Sequence, residues 1–223
     1  MTDARSIPAL IDHTNLRQDA GAADIRRLCA EAAEHGFATV AINSCWTALA
    51  ARELAGSNVG ISTCIGFPLG ACSTAAKVAE AIQAVADGTT EIDMVMNVGW
   101  LKDGDDEGVT HDIHAVVEAA GSVPVKVIIE CCLLTDEQKE RACTCAVAAD
   151  AAFVKTSTGF STGGATVDDV ALMRRVVGDV CRVKAAGGIH TLDEALALVD
   201  AGADRLGMSA GIAVAREVAV RLG

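Results

Sequence analysis

A chain of 223 residues suffices for one substantial core, and an α/β barrel of this size is expected to remain one domain, 1–223. Hydrophobic residues make up 51% and aromatics only 3%, with no tyrosine, a composition suited to helices packed closely on strands. The formal charge of −12 argues against a nucleic-acid surface.

The sequence has no apolar run long enough to span a membrane, and the Met1–Leu10 stretch lacks the apolar core of a signal peptide. A cytoplasmic address without membrane partners is therefore expected. None of the nine cysteines has C-x-x-C spacing and most sit in apolar runs, so they read as reduced, buried small hydrophobes. His111 and His114 share a helical face without a third ligand, which reads as an exposed face rather than a metal edge.

In chain order, Pro8–Asn15 reads as a first strand and Asp19–His35 as a helix closed by Gly36. Strand and helix then alternate: strand Phe37–Asn43, helix Trp46–Ala55, strand Val59–Gly66 and helix Ser73–Asp87. Next come strand Thr90–Asn97, helix Thr110–Ala120, strand Val123–Glu130 and helix Asp136–Ala149. Strands Ala152–Ser157, Val180–Ala186 and Asp204–Ser209 follow, separated by helices Val167–Val177 and Leu192–Ala201 and closed by helix Ala210–Leu222. Eight such units predict a (β/α)8 TIM barrel. A doubly wound open sheet is the alternative, but no G-x-G-x-x-G opens the chain.

Alternation within the strands assigns their faces. Ile92, Met94 and Met96 oppose Glu91, Asp93 and Val95; Val125, Val127 and Ile129 oppose Lys126, Ile128 and Glu130. Phe153, Lys155 and Ser157 alternate with Val154 and Thr156, and Arg182 and Lys184 flank Val183. Helices must cover the apolar faces, so the charged faces point to the barrel axis, where opposite charges must pair.

Lys155 and Lys184 lie on adjacent predicted strands, each in a small-residue run followed closely by glycine. Side by side, two such amines would depress each other's pKa and yield a neutral nucleophile for carbonyls. Pairing with interior carboxylates such as Glu91 or Glu130 is the competing structural reading. Asp93 faces the same space and would orient or protonate a reacting group, or simply pair with a lysine. Gly187-Gly188 and Gly207–Gly211, after the seventh and eighth strands, suit the usual barrel phosphate site, to which Thr158-Gly159 would add donors.

The motifs Ile11–Thr14 (IDHT), Ile65–Gly70 (IGFPLG), Glu91–Val95 (EIDMV), Lys126–Glu130 (KVIIE), Phe153–Phe160 (FVKTSTGF), Gly164–Val167 (GATV) and Val183–Ile189 (VKAAGGI) extend over almost the whole chain. In this order they resemble the deoxyribose-phosphate aldolase family, class I aldolases of the DeoC type. The resemblance implies reversible cleavage of 2-deoxy-D-ribose 5-phosphate to D-glyceraldehyde 3-phosphate and acetaldehyde. It implies Lys155 as Schiff-base nucleophile, Lys184 as the neighbouring cation that keeps it neutral, and Asp93 as proton-relay carboxylate. It places substrate or phosphate contacts at Asp12, Thr158, Gly159, Gly187, Gly188, Gly207 and Ser209. It implies no cofactor and no metal, small sugar-phosphate and aldehyde substrates as partners, and is compatible with a homodimer.

The chain departs from the family pattern at His190, where many relatives carry arginine, at Ala210, and in having no tyrosine-ended tail. A histidine at that place would make one phosphate-facing charge pH-dependent. Cys45, just past the second strand, is expected near the mouth as an inert thiol. Two rivals stand against the aldolase reading: a Schiff-base barrel using a larger donor, and a non-catalytic sugar-phosphate regulator.

Overall fold

Short runs rich in β-branched residues, separated by amphipathic helical stretches, fold into parallel strands that a helix follows at each step. The computed structural model describes residues 3–222. Its strands are β1 Ile11–Asn15, β2 Thr39–Asn43, β3 Gly60–Ile65, β4 Glu91–Val95, β5 Val125–Ile128, β6 Phe153–Lys155, β7 Arg182–Ala186 and β8 Arg205–Met208. Each pairs in parallel with its neighbours in sequence, and β8 pairs with β1, closing an eight-stranded (β/α)8 barrel.

The helices are α1 Ala22–His35, α2 Thr47–Glu53, α3 Thr74–Ala86, α4 Val98–Asp103, α5 Asp106–Ala120, α6 Asp136–Ala148, α7 Val167–Val177, α8 Leu192–Asp200 and α9 Gly211–Leu222. Helix α4 departs from the sequence expectation: Asn97 caps it by accepting the Trp100 N–H, and Gly104 ends it in the left-handed region. Such a short helix carries too little periodic pattern to be read in advance. The first strand is also shorter than expected, because Pro8–Leu10 forms a 3-10 turn with proline in its opening position.

The strand alternation sorts side chains as the pattern predicts. Ile92, Met94, Val127, Ile129, Val154, Val183 and Leu206 are fully buried in the layer between sheet and helices. The opposite faces fill the barrel axis with polar and charged groups, including Asp12, Ser62, Asp93, Lys126 and Lys184, all fully buried. Register sets their neighbours: Cys64 lies beside Asp93, Asp93 beside Lys126, Lys155 beside Lys184, and Lys184 beside Arg205.

Candidate active site

Buried charges persist only when paired, and the axial groups pair as a connected system. Asp93 accepts at Oδ1 from Ser62 Oγ and Lys126 Nζ, each at 2.7 Å. Its Oδ2 accepts from Lys155 Nζ and Lys184 Nζ, again at 2.7 Å each. Burial by itself would raise the Asp93 pKa; Lys126, Lys155 and Lys184 outweigh it and hold the carboxyl well below the usual carboxylate range.

The pairing continues around the barrel. Lys184 also binds the Asp12 carboxylate. Arg205 reaches Asp12 at 2.7 Å and Glu91 at 3.1 Å, and Glu91 returns to Lys126 at 2.6 Å. Burial works against a charged Lys184, yet the Asp12 and Asp93 carboxylates prevail and raise its pKa above the ordinary lysine range. This corrects the expectation that the two lysines depress each other alike: two carboxylates fix Lys184 as a cation. Cys64, facing the same enclosure, has its thiol pushed up to about 11, chiefly by burial.

Above this layer, at the C-terminal ends of the strands, opens a cavity of about 610 Å³. Lys155 is the single lysine in its lining, among the described residues. Thr158, Gly159, Gly187, Gly188, Gly207 and Ser209 line it as well. Asp12, Asp93 and Lys184 lie beneath, outside that lining. The Asp12 carboxylate meets Lys184 and Arg205.

The glycine loops depend on close backbone approach. Gly187 has φ +86°, and a Cβ there would lie 3.2 Å from the Gly164 Cα. A Cβ at Gly207 would lie 3.1 Å from Lys184 Cε, pressing on the lysine itself. Opposite them, Glu130 adopts φ 56° although it is not glycine. Its carboxylate accepts the Thr158 N–H at 3.1 Å and the Thr158 hydroxyl, so it anchors the loop after β6 and pairs with neither catalytic-candidate lysine. Strain of that kind persists where surrounding bonds over-determine it.

Sequence reasoning missed several participants. Lys126 carries the same inward alternation as Lys155, but only the register shows that it shares Asp93. Arg17 and Arg27, which line the cavity, sit among polar residues whose pattern reads as an exposed face. His13, on the first strand, and Glu31, on α1, meet at the mouth, where Nε2 and Oε2 are 2.8 Å apart. His190 lines the cavity, while its backbone N–H donates to Glu194. The nine cysteines are all free thiols, but Cys45, Cys72 and Cys132 are exposed rather than buried as expected. His111 and His114 lie on α5, and no group of side chains able to hold a metal ion occurs among the described residues.

A parallel barrel presenting one amine at the floor of a cavity, above a buried carboxylate and a second, fixed cation, belongs to the class of Schiff-base carbon–carbon lyases. More narrowly, the chain belongs to the DeoC/LacD family of aldolases, whose model matches residues 7–218. It is 57% identical over 210 residues to the deoxyribose-phosphate aldolase of Bacillus cereus, covering 94% of each chain. To deoxyribose-phosphate aldolase 1 of Mesoplasma florum it is 56% identical over 204 residues, covering 92% of this chain and 93% of the relative. Among solved structures, a proposed deoxyribose-phosphate aldolase from Coccidioides immitis superposes with a TM-score of 0.96 at 42% identity, over 98% of this chain and 87% of that one. The deoxyribose phosphate aldolase of Aeropyrum pernix, described as tetrameric, gives 0.90 at 30% identity, over 96% and 91%.

Proposed function

We propose that Lys155 forms the covalent bond to substrate in the reversible cleavage of 2-deoxy-D-ribose 5-phosphate to D-glyceraldehyde 3-phosphate and acetaldehyde. The observation that carries this is the cavity-facing Lys155 amine, held 2.7 Å from an Asp93 oxygen that Lys184 also occupies. Family membership and the 57% identity to a named deoxyribose-phosphate aldolase support the substrate and a role in deoxyribose-phosphate catabolism.

In the cleavage direction the neutral amine attacks the C1 carbonyl carbon of the open-chain sugar. Loss of water from the carbinolamine leaves a protonated imine. Removal of the C3 hydroxyl proton lets the C2–C3 bond break, and its electron pair moves into the iminium to give an enamine. The C3 fragment departs as glyceraldehyde 3-phosphate. A proton delivered to C2 restores the iminium, and water at C1 releases acetaldehyde and the free amine. The iminium is the electron sink, so this chemistry needs neither a metal nor an organic cofactor.

Asp93 and Lys184 serve the proton transfers through water, the carboxylate accepting and the cation holding charge of one sign beside the amine. Backbone N–H groups at Gly159, Gly187, Gly188 and Gly207, the Thr158 and Ser209 hydroxyls, and the N-terminus of α9 form the phosphate seat. Asp12 acts beneath them by holding Lys184. We read 1–223 as one aldolase domain. No helix among the described residues is long and apolar enough to cross a membrane, and the free thiols support a cytoplasmic address. Borohydride reduction with acetaldehyde present, followed by peptide mass spectrometry, tests the assignment. The adduct is expected on Lys155; an adduct on another lysine overturns it.

A further inference from the structure

The axial charges, traced from one ion pair to the next, close on themselves. Asp93 meets Lys126, Lys126 meets Glu91, and Glu91 meets Arg205. Arg205 meets Asp12, Asp12 meets Lys184, and Lys184 returns to Asp93. Three carboxylates alternate with three cations and sum to zero. Lys155 hangs from this ring at Asp93 Oδ2 and is the seventh group.

We propose that Lys126, Glu91 and Arg205, which lie outside the cavity lining, are positioning residues for the Lys155 amine, because the ring they close is neutral without it. A protonated Lys155, 3% exposed at the cavity floor, is then the one uncompensated charge of the set. A neutral Lys155 keeps its hydrogen bond to Asp93 and becomes a nucleophile. The inference rests on the Schiff-base reading of Lys155 and adds a cause for the neutral amine that the Lys155–Lys184 pair does not supply.

The geometry makes Lys126 the most direct of the three. It holds Asp93 Oδ1 together with Ser62, so only Oδ2 faces the amine. Glu91 and Arg205 begin their strands at the far end of the barrel, each 14% exposed, and close the ring from below. Other groups facing this set are few. Cys64 stands on β3 with its thiol held neutral by burial. Arg182 lies over the Phe153 ring at 3.9 Å and is exposed to water, where its charge is screened. Glu130 is engaged with Thr158, and His13, Arg17, Asp24, Arg27, Glu31 and His190 stand at the mouth.

The test is the pH dependence of kcat/KM in the full-length enzyme, whose acidic limb reports the amine that must be free to attack. Lys126→Met removes one cation, so the limb is expected to rise by about one pH unit or more, with activity at pH 7 falling about tenfold and recovering at alkaline pH. Glu91→Gln removes one anion and is expected to move the limb down. The double variant restores neutrality and should return the limb close to that of the parent enzyme. A residue with a merely structural role would lower stability or kcat without this opposed and compensating pattern. Limbs that stay fixed in both single variants, or a double variant that keeps the Lys126→Met limb, overturn the proposal. If Lys126→Met fails to fold, Glu91→Gln decides alone by the direction of its shift. Borohydride trapping that misses Lys155 in the parent enzyme defeats the Schiff-base reading instead. The pH dependence of Lys155 acetylation by acetic anhydride then reads the same three variants, with the same ordering required.

Discussion

Among the described residues, two lysine–carboxylate systems stand out in the interior of this protein, and they do opposite things. Between α3 and α5, Lys77 meets Asp112 at 2.6 Å, and Thr74 donates to the other Asp112 oxygen at 2.8 Å. One cation meets one anion, neither is exposed, and none of the three lines the cavity above the barrel. In the barrel, three lysines share Asp93, and one of them opens onto a cavity. The pair chemistry is the same. Unequal numbers and access separate the two: a closed one-to-one pair holds its proton, whereas an amine left over from a balanced set gives its proton up and keeps a free lone pair.

The comparison breaks most sharply at the reactive end. Lys155→Ala is expected to lower kcat/KM about a thousandfold or more and to abolish borohydride trapping with acetaldehyde. Substantial remaining activity would move the nucleophile elsewhere. Lys184→Leu removes the fixed cation that shares Asp93 with Lys155. We expect turnover to fall about a hundredfold or more, the acidic limb of the pH–rate profile to move upward, and the far-UV circular dichroism to persist. A limb that does not move would contradict the electrostatic role.

The structural pair should fail differently. Lys77→Met leaves the Asp112 carboxylate buried without its cation, which costs about 3–5 kcal/mol of stability and lowers Tm while the pH–rate profile of the folded enzyme stays put. A shifted profile would show that the two systems communicate.

Acid separates them on the same logic. Asp12 and Asp93 have folded-state pKa values below the ordinary aspartate value. The stability they contribute is present above about pH 3.9 and is lost as pH falls from there through their lowered values. Lys184 has a raised value, so its contribution is present below about pH 10.4 and is lost only as pH climbs beyond that. Asp93→Asn should therefore flatten the acid limb of a stability-versus-pH curve, a change that equilibrium urea unfolding between pH 2 and 6 would detect.

The smallest effect belongs to the mouth. His190→Arg places a permanent cation in the cavity lining, and we expect KM for the 5-phosphate to fall a few-fold at pH 8, with KM for unphosphorylated 2-deoxyribose unchanged. Equal changes for both sugars would place His190 away from the phosphate.

Much of the molecule follows from the sequence alone. The switch between two-residue and helical periods specifies eight strand–helix units, because each must bury one face, and the parallel barrel is how so many units bury them together. Lys155 and Lys184 were legible because an ammonium amid small apolar residues has few physical explanations. Tertiary structure decided what those lysines touch. Closure brings Arg205 onto Asp12, 193 positions away in the chain, and register gives Lys126 a place on Asp93. It also set Asp12 beneath the cavity floor, made Lys184 a fixed cation, and turned Glu130 toward Thr158. Alternation says which face a side chain takes, but strand register and barrel closure fix its partner, and partners set charge in a low-dielectric interior.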